Sequence, residues 1–94
     1  MAMVKSPKLQ LLYFKAKWCA QCYTEQPIIE QLTAKFQSQL QLRQFDRDEV
    51  PELVTKYQLM TVPSFVIKRD QKVLYTATGY MTNEQLKTLI SYYL

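Results

Sequence analysis

Cys19 and Cys22 are the only cysteines in the chain, and they lie three residues apart at the seam between a strand pattern and a helix pattern. Before them, Leu9-Gln10-Leu11-Leu12-Tyr13-Phe14 is almost continuously apolar and ends at Lys15. Such a run reads as a strand buried on both faces. After it, a helical pattern opens at about Ala20. The first N–H groups of a helix have no intrahelical acceptor, and the helix dipole adds positive potential there. Both favour a thiolate at the leading cysteine and lower its pKa, which makes it a nucleophile near neutral pH. One turn further on, Cys22 is within reach of the Cys19 sulfur.

The remaining composition narrows the choices. Ninety-four residues, 48% of them hydrophobic, suit one domain spanning residues 1–94 with a modest core. No apolar run approaches the length of a membrane span. The basic start at Lys5 and Lys8 is followed by a run that ends at Lys15, which does not read as a signal peptide. The cytoplasm is therefore the expected compartment, and there a CxxC pair is kept mostly as dithiol. The net charge of +4 is spread along the chain without a basic block, so nucleic acid is not an expected partner. The absence of histidine rules out a Cys–His pair or a histidine metal site within one chain.

The expected element order is strand, helix, strand, helix, strand, strand, helix. The first helix is expected from Ala20 to Gln39, with Ile28, Leu32, Phe36 and Leu40 on its inner stripe, Ile29 beside them, and a kink at Pro27. Leu40 to Asp46 alternates as a second strand, with a slip before Phe45. A short helix follows between Asp48 and Tyr57, with Leu53, Val54 and Tyr57 inward. Pro63 to Lys68 and Lys72 to Thr78 read as a hairpin. Thr82-Asn83-Glu84-Gln85 carries a capping-box pattern for a last helix with Leu86, Leu89, Ile90 and Tyr93 buried. A long first crossover makes the first two strands parallel. The predicted fold class is α/β, with a mixed four-stranded sheet and helices on both faces.

Over residues 9–94 the chain resembles the thioredoxin family. The resemblance rests on Phe14-Lys15-Ala16-Lys17-Trp18-Cys19-Ala20-Gln21-Cys22, Pro27, Asp46-Arg47-Asp48, Thr61-Val62-Pro63-Ser64 and Gly79. It implies a thioredoxin fold and thiol–disulfide exchange with protein disulfides. Cys19 would attack and Cys22 would resolve. A cis Val62–Pro63 peptide would lie against the disulfide, and Trp18, Val62, Pro63, Gly79 and Tyr80 would border the substrate groove. No bound cofactor or metal is implied; a flavin-dependent reductase would be the electron donor, and the protein would act as a monomer.

Four features depart from the family pattern. Tyr13 stands where a buried aspartate usually assists proton transfer at the resolving cysteine, which leaves Cys22 without an obvious protein base. Lys15 replaces a usual tryptophan and, with Lys17, adds positive charge near Cys19. Ala20-Gln21 replaces the typical Gly-Pro and bears on reduction potential. About eight residues precede the first core strand, so the usual first strand and helix are expected to be missing.

Two other readings compete. A glutathione-dependent, glutaredoxin-like enzyme fits the short front and Thr61-Val62-Pro63, but Gly79-Tyr80-Met81-Thr82 lacks a clear carboxylate-binding turn. A non-enzymatic module could share a metal through CxxC, which would take two chains to supply four thiolates. Asp46 and Asp48 are read as turn and helix-start residues, and the tyrosines other than Tyr80 as ordinary packing.

Overall fold

The computed structural model describes residues 8–94. The segment before Lys8, which carries Lys5 and underlies the expected short front, lies outside the described residues. The elements are β1 (Leu9–Lys15), α1 (Ala20–Lys35), β2 (Leu40–Asp46), a 3-10 turn (Arg47–Glu49), α2 (Pro51–Lys56), β3 (Ser64–Arg69), β4 (Lys72–Thr78) and α3 (Asn83–Tyr93). The strands form one sheet in the order β2-β1-β3-β4. β1 pairs parallel with β2 and antiparallel with β3, and β3 pairs antiparallel with β4. The expected mixed four-stranded sheet is present.

β1 reads as unbroken apolar sequence because both of its faces are covered. Leu9, Leu11 and Tyr13 join Phe65 and Ile67 of β3 in a core closed by Ile29 and Leu32 of α1 and by Leu86 and Ile90 of α3. Leu12, Phe14 and Ala16 point the other way, with Val66, into a core that holds both cysteines and is flanked by Leu53 and Val54 of α2 and by Tyr57 at its C-cap. The slip in β2 has the same cause. Leu40 and Leu42 face the first core, whereas Phe45 faces the second and stacks on Phe14 at 5.2 Å.

Several expected boundaries shift. α1 ends at Lys35, four residues before Gln39. Leu40 must be extended to pair with Leu9, so residues 36–39 form a turn in which Leu40 N–H bonds Phe36 O at 2.8 Å and Leu9 N–H bonds Gln39 O at 3.1 Å. The buried stripe of α1 is Cys22, Glu25, Ile29 and Leu32; Ile28 and Phe36 are only half-buried. The helix between Asp48 and Tyr57 is split at Val50, and Pro51 opens α2 where its missing N–H costs nothing. β3 starts at Ser64, and Pro63 sits in the loop ahead of it.

α2 ends in a Schellman motif: Leu59 N–H bonds Val54 O at 3.0 Å, and Gln58 N–H bonds Thr55 O at 3.2 Å. Gln58 takes φ +54°, a left-handed position that glycine fills more easily. The motif buries Leu59 and launches the loop that carries Val62 and Pro63 to the cysteines. α3 opens with the expected capping box, Thr82 and Gln85 exchanging side-chain-to-backbone bonds at 3.2 and 2.9 Å. Among the described residues no helix is long and apolar enough to cross a membrane.

Candidate active site

Ala16 O accepts the N–H of Cys19 at 3.1 Å, which turns the chain sharply from β1 into α1. Cys19 is the N-cap of that helix, with extended backbone angles, and its Sγ accepts the N–H of Cys22 at 3.2 Å. Serine or aspartate would ordinarily cap here through oxygen; a thiolate in this place takes the same hydrogen bond with a full negative charge. Cys19 and Cys22 are joined as a disulfide, with Cα atoms 5.3 Å apart. Both are largely covered, Cys22 more completely than Cys19.

The cysteines share their core with Val62. The Val62–Pro63 peptide is cis, as the resemblance implied. Pro63 is fully buried, and its carbonyl accepts the N–H of Gly79 at 2.8 Å, which ties the end of β4 to the proline loop. Ser64 Oγ donates to Thr61 O and closes the loop on itself. Gly79 has φ +93°, which glycine tolerates, with open space where a side chain would stand.

Trp18 is 65% exposed beside Cys19, and its Nε1 donates to Asp48 Oδ2 at 3.0 Å. Asp48 therefore does more than start a helix; Asp46 caps the turn, its Oδ1 accepting Asp48 N–H at 2.9 Å. Tyr80, after Gly79, is exposed. Met60, in the loop leading to Val62, is 87% exposed, and no motif or periodic pattern in the sequence marks it. Tyr92 also departs from expectation: it stands largely in solvent and meets Tyr93 edge-on.

Lys15 does not point its charge freely toward Cys19. Its Nζ donates to Gln26 and Gln44 at 3.3 Å each, on the wall of a cleft of about 380 Å³ that also touches Lys17 and Cys22. Glu30 accepts from the same two glutamines, and those hydrogen bonds, Gln26 first, hold its carboxyl below the usual range.

Tyr13 is buried, stacks on Phe65 at 5.3 Å, and donates its hydroxyl to Cys22 O at 3.1 Å. Burial, and then the charge of Glu25, push its pKa up, so it stays neutral. The larger correction is Glu25. No carboxylate stands at position 13, but Glu25, one turn after Cys22 on α1, is a wholly buried carboxylate. Its Oε2 accepts the N–H of Met81 at 2.9 Å, while Oε1 meets no hydrogen-bond donor among the described residues. Burial pushes the carboxyl up to about 7, against the opposing pull of the Met81 N–H. A sequence signal existed: Glu25 occupies a core position in the 22, 25, 29, 32 register of α1.

Among the described residues no group of three or more histidine, cysteine, aspartate or glutamate side chains is arranged to hold a metal ion.

A helix-capping cysteine disulfide-bonded one turn along, against a cis-proline loop on a mixed four-stranded sheet, defines a dithiol–disulfide exchange protein. Comparison with known proteins gives the family. The Thioredoxin family profile matches residues 1–92. Thioredoxin of Staphylococcus aureus is 28% identical over 86 residues, covering 92% of this chain and 83% of the relative. The fold superposes on Deadhead, a germline-specific thioredoxin of Drosophila melanogaster, with TM-score 0.89, 26% identity, and coverage of 94% and 83%. A mutant thioredoxin from Halobacterium salinarum gives TM-score 0.84 at 29% identity, covering 93% of this chain and 75% of that one. The chain belongs to the thioredoxin family. It is a thiol–disulfide oxidoreductase, a protein-disulfide reductase that acts on protein disulfides and is recharged by a reductase.

Proposed function

We propose that Cys19 is the attacking thiol and Cys22 the resolving thiol, in a unit formed by residues 1–94. The observation that carries this is the capping bond from Cys22 N–H to Cys19 Sγ, which stabilises negative charge on Cys19 and leaves Cys22 buried behind it. The Cys19 thiolate attacks one sulfur of a substrate disulfide. A Cys19–substrate S–S bond forms, the substrate S–S bond breaks, and the released sulfur leaves as a thiolate that takes up a proton. Cys22 then loses its proton and attacks Cys19 Sγ. The intramolecular disulfide forms, the mixed disulfide breaks, and two electrons have passed to the substrate.

Trp18, Val62, Pro63, Gly79 and Tyr80 border the groove in this reading. The open space in front of Gly79 and the exposed Trp18 and Tyr80 support an extended substrate segment lying there by backbone pairing. A flavin-dependent reductase restores the dithiol, and the protein works as a monomer in the cytoplasm. The test is reduction of insulin disulfides, driven by dithiothreitol and separately by NADPH with a flavin-dependent thioredoxin reductase. The parent is expected to catalyse both and Cys19→Ser neither. Activity retained by Cys19→Ser, or supported by glutathione alone, would count against the reading.

A further inference from the structure

Glu25 is an isolated carboxylate in an apolar core, which is a costly thing to keep. It is fully buried on α1, close enough to Tyr13 for its charge to act on the phenol, and a leucine or isoleucine there would continue the stripe of α1. One oxygen is fixed by Met81 N–H at 2.9 Å; the other has no protein donor among the described residues. Three residues along a helix put two side chains on one face with Cβ atoms about 5–6 Å apart. The residue three before Glu25 is Cys22, also buried on that face.

We propose that Glu25 is the proton acceptor for the Cys22 thiol during resolution. This rests on the assignment of Cys22 as the resolving thiol. In the mixed disulfide, the proton of Cys22 Sγ–H passes to the Glu25 carboxylate, directly or through one water. The resulting thiolate attacks Cys19 Sγ; the Cys19–Cys22 bond forms and the Cys19–substrate bond breaks. The departing substrate thiolate takes a proton from solvent, and the Glu25 carboxyl returns its own to solvent. No oxidant beyond the substrate disulfide is required.

The surrounding groups single out Glu25. Tyr13, which faces it from β1, stays neutral and donates its hydroxyl proton to Cys22 O, so it is no base. The segment after β4 presents the Met81 N–H, a donor and no base. α3 turns Leu86 and Ile90 inward and leaves Glu84 and Lys87 at the surface. On the cleft side of Cys22, the Lys15 ammonium is held by Gln26 and Gln44 and has no lone pair to offer. Asp46 accepts the Asp48 N–H, and Glu49 is solvent-exposed on the cleft wall, where Glu49→Gln tests it directly. With its carboxyl raised to about 7, Glu25 is matched to proton transfer at neutral pH.

The test is single-turnover resolution of a Cys19 mixed disulfide with thionitrobenzoate, followed from pH 5 to 9. Glu25→Gln keeps an acceptor for Met81 N–H and removes the base; Glu49→Gln, on the cleft wall, is the control. The parent rate is expected to rise through an inflection near pH 7. Glu25→Gln is expected to lose that inflection and to resolve roughly 10²-fold slower at neutral pH, with Glu49→Gln like the parent. A Glu25→Gln rate within twofold of the parent at every pH would overturn the proposal and leave the cysteine roles intact. A parent that does not resolve at all would overturn those roles as well. If Glu25→Gln does not fold, carbon-13 titration of the Glu25 carboxyl in the unaltered protein decides. A midpoint that moves between disulfide and dithiol forms supports the coupling, and an unmoved one overturns it.

Discussion

The sulfur of Cys19 accepts the backbone N–H of Cys22 at 3.2 Å, so the helix that carries the second cysteine is capped by the first. One bond links the start of α1, the electrostatics of the thiol and the spacing of the pair. In the dithiol form it becomes a charge-assisted bond to a thiolate. Alkylation of the reduced protein with limiting iodoacetamide at neutral pH is therefore expected to label Cys19 before Cys22. Peptide mapping reads the order, and first labelling at Cys22 would contradict it.

Glu25 makes stability depend on pH. Its folded-state pKa of about 7 lies above the ordinary value of 4.5, so the folded protein binds more protons than the unfolded chain between those values. Stability is expected to fall as pH rises from about 4.5 to 7 and then to level off, by at most about 3 kcal/mol. Urea unfolding at pH 4.5, 6 and 8 measures this, and Glu25→Gln is expected to flatten the difference.

Trp18 and Asp48 lie 30 residues apart, yet one bond of 3.0 Å orients the indole. Such an exposed bond is worth about 1 kcal/mol. Asp48→Ala is expected to raise KM for insulin roughly fivefold, leave kcat unchanged, and shift tryptophan emission.

Gln58 sits at φ +54° in the Schellman turn after α2. Gln58→Gly is expected to stabilise the protein by up to about 1 kcal/mol, because glycine enters the left-handed region without penalty. At the other end of the chain, Thr82→Ala removes half of the capping box and is expected to cost about 1 kcal/mol. Urea midpoints measure both.

Local patterns carried much of this architecture in the sequence. The unbroken apolar run of β1, the slip before Phe45 and the Thr82–Gln85 box each leave a pattern within a single segment. Bonds across the fold were not legible. Glu25 meets Met81 56 residues later, and Trp18 meets Asp48 30 residues later; neither pairing leaves a periodic trace. The early end of α1 was hidden for a similar reason. The pairing of Leu40 with Leu9, rather than helix propensity, sets where the chain must turn. Glu25 itself left one sign, a charge in a core register, and reading that register from Ile28 rather than Ile29 concealed it.

The central claim is that Cys19 attacks and Cys22 resolves, and trapping tests it most directly. Reduced Cys22→Ser and Cys19→Ser proteins are each mixed with insulin, quenched with acid, and analysed by mass spectrometry without reductant. The account predicts a mixed disulfide through Cys19 that accumulates with Cys22→Ser, and none with Cys19→Ser. An adduct through Cys22 in Cys19→Ser, with none in Cys22→Ser, would contradict it.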